Sequence, residues 1–277
     1  MNTARGDDQP LDGRIALVTG ASRGLGVPIA RELAASGADV VVIARDAVAL
    51  EAIAIDVRGT GRRALVAALD ITDDAAVEAM AAQVAAEFGR VDILVNNAGV
   101  VVNQPLLETS PKRLDLLWRV NVRAPTLLMQ AFVPAMAEAG WGHVVNIASL
   151  SSQVRDGNVP LGYAGYTSTK AALVRMSLAA AIEVRDRGVA VNAVAPTGLV
   201  ETEGWQKISG GRRLPNAEPI DYLGRAVAWI VSQDPRRLSG RFLDSQQVLA
   251  MAGALEQPAL TYADLAQVDV LKDWSGV

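Results

Sequence analysis

Tyr166 and Lys170 are the residues of this chain whose types and spacing most directly point to chemistry. They bound the run Tyr166-Thr167-Ser168-Thr169-Lys170, and on a helix such a pair shares one face. A free phenol, with a pKa of about 10, is a poor proton shuttle at neutral pH. An ammonium one turn away favours the phenolate and is expected to lower that value. The pair is therefore a candidate acid/base for moving a proton to or from a carbonyl or alcohol oxygen. Tyr163 has no such companion, because position 167 is Thr.

A second cluster reads as a ligand cradle. Thr19-Gly20-Ala21-Ser22-Arg23-Gly24-Leu25-Gly26 follows the first buried run and precedes a helical segment. Gly20 lets the chain turn sharply. Gly24 and Gly26 remove side chains where a helix begins, so a pyrophosphate can approach backbone N–H groups and the positive helix end. The spacing is G-x-x-x-G-x-G rather than the commoner G-x-G-x-x-G. The second strand ends in Ile43-Ala44-Arg45-Asp46. NAD sites place an acid there for the ribose 2′-hydroxyl, whereas an Arg pairs with a 2′-phosphate. With Ala44 at the acid position, Arg45 and Arg23 form two jaws, and the pattern favours NADP(H). NAD(H) is the alternative if Asp46 binds the ribose rather than capping the next helix. Asp70, beside Ile71 at the end of the third strand, is placed either to meet an adenine amino group or to serve as an ordinary turn aspartate.

The elements that must position these residues alternate. Short β-branched runs at Ile15–Thr19, 40–43, 64–69, 93–95, 143–148 and Val189–Ala195, with a weaker one at 241–244, are separated by Ala-rich segments of helical spacing. Continuous apolar runs fit strands covered on both faces, hence a parallel sheet. Helices are expected over 73–88, over 111–136 with a bend near Pro125 or Pro134, and over 166–187. The expectation is an α/β chain, a single-domain Rossmann-like doubly wound sheet of about seven strands flanked by helices. Residues 1–10 read as a loose tail, 11–250 as the domain and 251–277 as an extension.

Three motifs in order, Thr19–Gly26, Asn96-Asn97-Ala98-Gly99 and Tyr166–Lys170, make residues 11–250 resemble the short-chain dehydrogenase/reductase family. The resemblance implies catalytic roles for Asn121, Ser149, Tyr166 and Lys170. Ser149 would hold the substrate oxygen, with Ser151 as runner-up. Lys170 would also hold the nicotinamide ribose. Asn121 would kink its helix and hold a water in a relay to the lysine. Around the dinucleotide it implies Gly20, Ser22, Arg23, Gly24, Leu25, Gly26, Arg45, Asp70, Ile71, Asn97, Ala98, Gly99, Pro196 and Thr202, together with Tyr166 and Lys170. Asn96 fits better as a tie between neighbouring strands. The activity implied is hydride transfer between NADP(H) and a carbonyl or secondary alcohol, the substrate being a lipid-like ketoacyl group or a cyclic ketone. A non-catalytic dinucleotide-binding sensor or scaffold is the competing reading, opposed by the complete set of reacting residues.

The chain also departs from the family pattern. Pro196-Thr197-Gly198 stands where the family reads Pro-Gly, a displacement that implies a one-residue insertion. Leu243-Asp244-Ser245-Gln246-Gln247 replaces the usual Asp-Gly-Gly ending. A longer stretch between Ser149 and Tyr166 implies an insertion within 155–162. Residues 200–219 are expected to form a substrate lid, whose Lys207, Arg212 and Arg213 read as a solvated loop or, alternatively, as a contact for a thioester carrier's phosphate.

Composition narrows the remaining classes. The 277 residues carry 26 Lys+Arg against 30 Asp+Glu, a net charge of −4 that argues against a nucleic-acid partner. There is no cysteine and one histidine, His143, so thiolate chemistry and multi-His metal sites are excluded and no metal is expected. The N-terminal stretch lacks an apolar signal core, and apolar runs end before the roughly 20 residues needed to span a bilayer. A cytoplasmic protein without a membrane partner is expected. Extra apolar residues on the helices at 111–136 and 166–187 point to a homo-oligomer, tetramer or dimer.

Overall fold

Strand β1 (Ile15–Thr19) is buried at every position, as the apolar run Ile15–Val18 requires. The computed structural model describes residues 9–153, 162–211, 213–214 and 216–255. The chain runs β1, α1 (Gly26–Ala35), β2 (Asp39–Ala44), α2 (Ala47–Gly59), β3 (Ala64–Ala68), α3 (Asp74–Phe88) and β4 (Ile93–Asn96). It continues through α4 (Pro111–Trp118), α5 (Ala124–Glu138), β5 (Gly142–Ile147), α6 (Ala164–Val184), β6 (Val189–Ala195), α7 (Glu203–Ser209), α8 (Asp221–Val231), β7 (Phe242–Asp244) and α9 (Ser245–Met251). The seven strands form one sheet in the order β3-β2-β1-β4-β5-β6-β7, and every pairing is parallel.

Successive side chains on a strand point to opposite faces, so β1 feeds two cores. Ala16 and Val18 pack with the apolar stripes of α1, α2, α8 and α9. Ile15 and Leu17 pack with α3, α5 and α6. The strand order reverses between β1 and β4. In such sheets the crevice beyond the strand ends at the reversal is where a ligand binds. The Gly-rich turn after β1 and the Asn96–Gly99 segment after β4 both emerge there.

One expected element divides. The helix over 111–136 is interrupted at Arg119–Arg123 by a π-helical turn. The break in regular α-helix therefore falls around Asn121, while Pro125 lies in the first turn of α5, where a missing N–H is tolerated, and Pro134 is carried inside it. Of the other expectations, residues 1–8 of the tail, 154–161 of the insertion, 256–277 of the extension and Arg212 lie outside the described residues.

Candidate active site

Thr19 organises the crevice. Its hydroxyl oxygen accepts from the N–H groups of Asn97 and Ala98, each at 3.0 Å. The Asn97 amide donates to Thr19 O at 2.9 Å and Gly20 O at 3.2 Å. The turn after β1 and the loop after β4 are thus sewn together, and the Asn97 side chain is spent on that seam. Two of the glycines serve it as well. A Cβ on Gly20 would stand 2.8 Å from Ala98 Cα, and one on Gly26 would stand 2.2 Å from Gly20 O. Gly24 has a left-handed φ of 58° and looks across the crevice, where a Cβ would meet the Thr202 methyl at 3.7 Å. Helix α1 starts without a side-chain cap, which leaves its positive dipole end uncompensated beside Leu25.

Arg23 and Arg45 are exposed, and neither joins an ion pair among the described residues. Asp46 accepts from Ala49 N at 3.0 Å as the N-cap of α2, so its carboxylate already has a structural use. Asp70 uses one oxygen for its turn, accepting from Thr72 N at 2.9 Å and from the Thr72 hydroxyl at 2.8 Å. Those bonds hold its carboxyl below the usual range, with the positive charges of Arg45 and Arg119 adding to the effect. Ile71 beside it is buried.

The reacting residues meet beyond β5. Lys170 is 4% exposed, and its Nζ donates to Ile147 O at 2.7 Å. That nitrogen lies 6.0 Å from the centre of the Tyr166 ring. Ser149 hydrogen-bonds the Tyr166 phenol, and its Oγ lies 2.8 Å from Ser151 Oγ. A Cβ on Gly99 would be 3.4 Å from Lys170 Nζ and 3.4 Å from Asn121 Oδ1, so the bare Gly99 backbone passes directly beside the ammonium. The electrostatics differ from the expectation. Burial pushes the Tyr166 phenol up to about 12; the Ser149 bond opposes this and nearby Tyr163 adds to it. Burial pulls Lys170 down to about 8. Desolvation is the largest cause of both shifts: it favours the protonated phenol and the neutral amine.

Asn121 is fully buried in the π-turn. Its Oδ1 accepts from Val100 N at 2.9 Å. Its Nδ2 donates to Val100 O at 2.9 Å and to the Thr169 hydroxyl at 3.0 Å. The side chain therefore clamps the loop after Gly99 to α6, one residue before Lys170, and is fully engaged in doing so. Asn96 ties strands as expected, donating to Asn146 Oδ1 on β5 at 2.8 Å, and Asn146 in turn donates to Ser177 on α6 at 2.8 Å.

The displaced glycine after β6 has a structural cause. Thr197, in the extra position, is buried. Its hydroxyl donates to Asp244 Oδ1 at 2.5 Å and accepts from Gln246 N at 3.0 Å. Its N–H donates to Ser245 Oγ at 3.0 Å. The two departures from the family pattern thus fit one another. Pro196 lies at the exit of β6, next to Thr197. Thr202 caps α7 by accepting from Trp205 N at 3.1 Å, and it closes the crevice opposite Gly24. Thr19, Thr169 and Thr197 escaped the sequence reading. The first two lie inside the quoted motifs, but nothing local marks their partners.

The sequence model of the family described as short chain dehydrogenase matches residues 14–212. The 3-oxoacyl-[acyl-carrier-protein] reductase FabG of Escherichia coli (strain K12) is 35% identical over 240 residues, covering 84% of this chain and 95% of that protein. The chain belongs to the short-chain dehydrogenase/reductase family. It is an oxidoreductase of the class that acts on alcohol and ketone groups. Among solved structures, a metagenomic short-chain oxidoreductase in complex with NADP superposes with a TM-score of 0.73 at 36% identity, over 85% of this chain and 98% of that one. L-sorbose reductase from Gluconobacter frateurii, complexed with NADPH and L-sorbose, gives 0.77 at 28% identity, over 86% and 96%.

Proposed function

We propose that this short-chain dehydrogenase/reductase is an NADP(H)-dependent carbonyl reductase or alcohol dehydrogenase in which Tyr166 passes the proton. The observation that carries the reading is the meeting of Ser149, Tyr166 and Lys170 beside the bare backbone of Gly99, at the sheet's reversal point. The residues present fit a phosphorylated dinucleotide: a Gly-rich turn, an uncapped helix start, and two exposed arginines free of ion pairs among the described residues. Two structurally similar proteins hold NADP or NADPH. When bound, the dinucleotide supplies or accepts the hydride.

The rest of the work falls to this chain. The phenol, protonated at neutral pH, carries the proton for carbonyl reduction, and it gives that proton up only as far as Ser149 and the Lys170 ammonium favour the phenolate. Ser149 shares its hydroxyl with the phenol and holds the substrate oxygen against it. Lys170, charged at neutral pH with a pKa of about 8, supplies the positive field that stabilises the phenolate left behind, and it reaches toward the nicotinamide ribose past Gly99. Asn121 fixes that geometry through Val100 and Thr169. With its amide fully engaged, its contact to a relay water falls to the backbone of the π-turn. The dehydrogenase and reductase names of the relatives favour this reading over a sensor or scaffold.

The substrate class in this proposal is a ketoacyl or cyclic ketone, because Trp205 and Leu214 on the lid and exposed Leu199 offer apolar surface beside Thr202. Lys207 and Arg213 are exposed, in keeping with a solvated stretch. A homo-oligomer, tetramer or dimer, belongs to the same reading. Leu116 and Trp118 on α4 are 45% and 47% exposed and Ile182 on α6 is 71% exposed, which leaves apolar surface for a second copy; a monomeric mass in light scattering would refute it. Among the described residues no helix is long and apolar enough to cross a membrane, and a cytoplasmic site of action is proposed. The test is NADPH- and NADH-dependent reduction of a ketoacyl thioester, a cyclic ketone and a keto-sugar. The expected result is NADPH preferred by at least about tenfold, with the preference lost in Arg45→Ala. Equal use of NADH by the wild-type chain would overturn the cofactor assignment.

A further inference from the structure

Glu218 is a buried carboxylate that the proposed chemistry leaves unused. It is 4% exposed and has no salt bridge to a basic residue among the described residues. A buried charge without a counterion is costly unless donors surround it, and here they do. Oε2 accepts from Gly198 N at 2.6 Å, and Oε1 accepts from the Ser245 hydroxyl. The Gln246 side chain also donates to the carboxylate. Glu218 N in turn donates to Leu199 O at 2.9 Å.

These partners have a direction. Gly198 and Leu199 begin the loop that leaves β6, and Ser245 and Gln246 begin α9. Proton bookkeeping leaves no slack in the joint. The Thr197 hydroxyl donates to Asp244 and the Ser245 hydroxyl donates to Glu218, while Ser245 Oγ and Thr197 Oγ1 accept from Thr197 N and Gln246 N. The joint pins Gly198 and Leu199 from below. The same stretch, four residues on from Gly198, ends at Thr202, which faces Gly24 across the crevice.

We propose that Glu218 is a positioning residue for the nicotinamide half of the dinucleotide. It acts through Gly198 and Leu199 to hold the Pro196–Thr202 stretch against the crevice. The proposal rests on the dinucleotide-binding reading given above.

The experiment is calorimetric titration of NADPH and of adenosine 2′,5′-bisphosphate, which lacks the nicotinamide half, into wild type and the Glu218→Ala, Glu218→Asp and Glu218→Gln variants. Glu218→Asp keeps the charge but not the reach, and it stands in should Glu218→Ala fail to fold. Losing a charge-assisted hydrogen bond is expected to weaken NADPH binding in the Ala and Asp variants by at least about tenfold, with the bisphosphate unaffected. Glu218→Gln keeps an acceptor for Gly198 N but sets an NH2 against the Ser245 hydroxyl, and is expected to weaken NADPH binding by less than Glu218→Ala does. Ala and Asp variants that bind both ligands as wild type does, or lose both equally, overturn the role of Glu218 while leaving dinucleotide binding intact. A wild-type chain that binds neither ligand overturns the dinucleotide reading, and this proposal with it.

Discussion

Replacing Lys170 with Met should remove activity while leaving the fold at least as stable, and the structure gives the size of the effect. The ammonium is buried, and desolvation lowers its pKa from 10.5 to about 8. At pH 7 the folded chain therefore carries a cost of about 3 kcal/mol for keeping that group charged. Met fills similar volume without the charge. Against the gain stands Ile147 O, which loses its donor, a loss of about 1–3 kcal/mol. The net expectation for Lys170→Met is a change between zero and about 2 kcal/mol in favour of the fold. The dependence on pH is sharper still. Between about 8 and 10.5 the unfolded wild-type chain binds a proton that the folded chain has released, so wild-type stability rises with pH across that window. The variant lacks this rise. Urea unfolding at pH 7 and pH 10 should therefore show the variant's relative stability fall by most of that 3 kcal/mol. Tyr166 does not interfere, because a phenol raised from 10 to about 12 affects stability only above pH 10. A variant more than about 2 kcal/mol less stable than wild type at pH 7, or a difference that is the same at both pH values, would refute the reasoning.

Two other perturbations follow from the same structure. His143 is buried with its pKa lowered from 6.5 to about 4 by desolvation; as pH falls from 6.5 to 4 the unfolded chain gains a proton that the folded chain refuses, so this group alone should remove up to about 3 kcal/mol of stability. His143→Gln should flatten that part of the urea-unfolding profile, and an unchanged slope would contradict the assignment. Gly26→Ala forces a Cβ to 2.2 Å from Gly20 O and should cost about 2 kcal/mol or more, whereas Gly24→Ala meets only ordinary contacts and should cost about 1 kcal/mol for its left-handed φ; thermal melts that rank the two the other way would count against the turn's packing.

How much of this was legible in the sequence depends on how far away each residue's partners lie. The strands were readable because β1 and β6 are almost wholly apolar, with only Thr19 and Asn192 interrupting, and buried at every position. The glycines, Ser149, Tyr166 and Lys170 were readable because their motifs keep fixed local spacing. Asn121 sits in a π-helical turn, and its clamp on Val100 and Thr169 spans 21 and 48 positions, which no local pattern records. Thr197 looked like a stray insertion until Asp244, Ser245 and Gln246 were seen against it, and Glu218 looked like one more lid residue for the same reason. The phenol's acidity is not legible from an ammonium one turn away, because spacing does not record how far desolvation opposes it.

The central claim is that the Tyr166 phenol carries the proton beside the bound dinucleotide, and the most direct measurement is single-turnover carbonyl reduction by Tyr166→Phe with NADPH binding followed in the same samples. The account predicts NADPH affinity within about threefold of wild type and a hydride-transfer rate lower by at least about a hundredfold, the scale of a lost general acid. A Phe variant that reduces the carbonyl at the wild-type rate would contradict it.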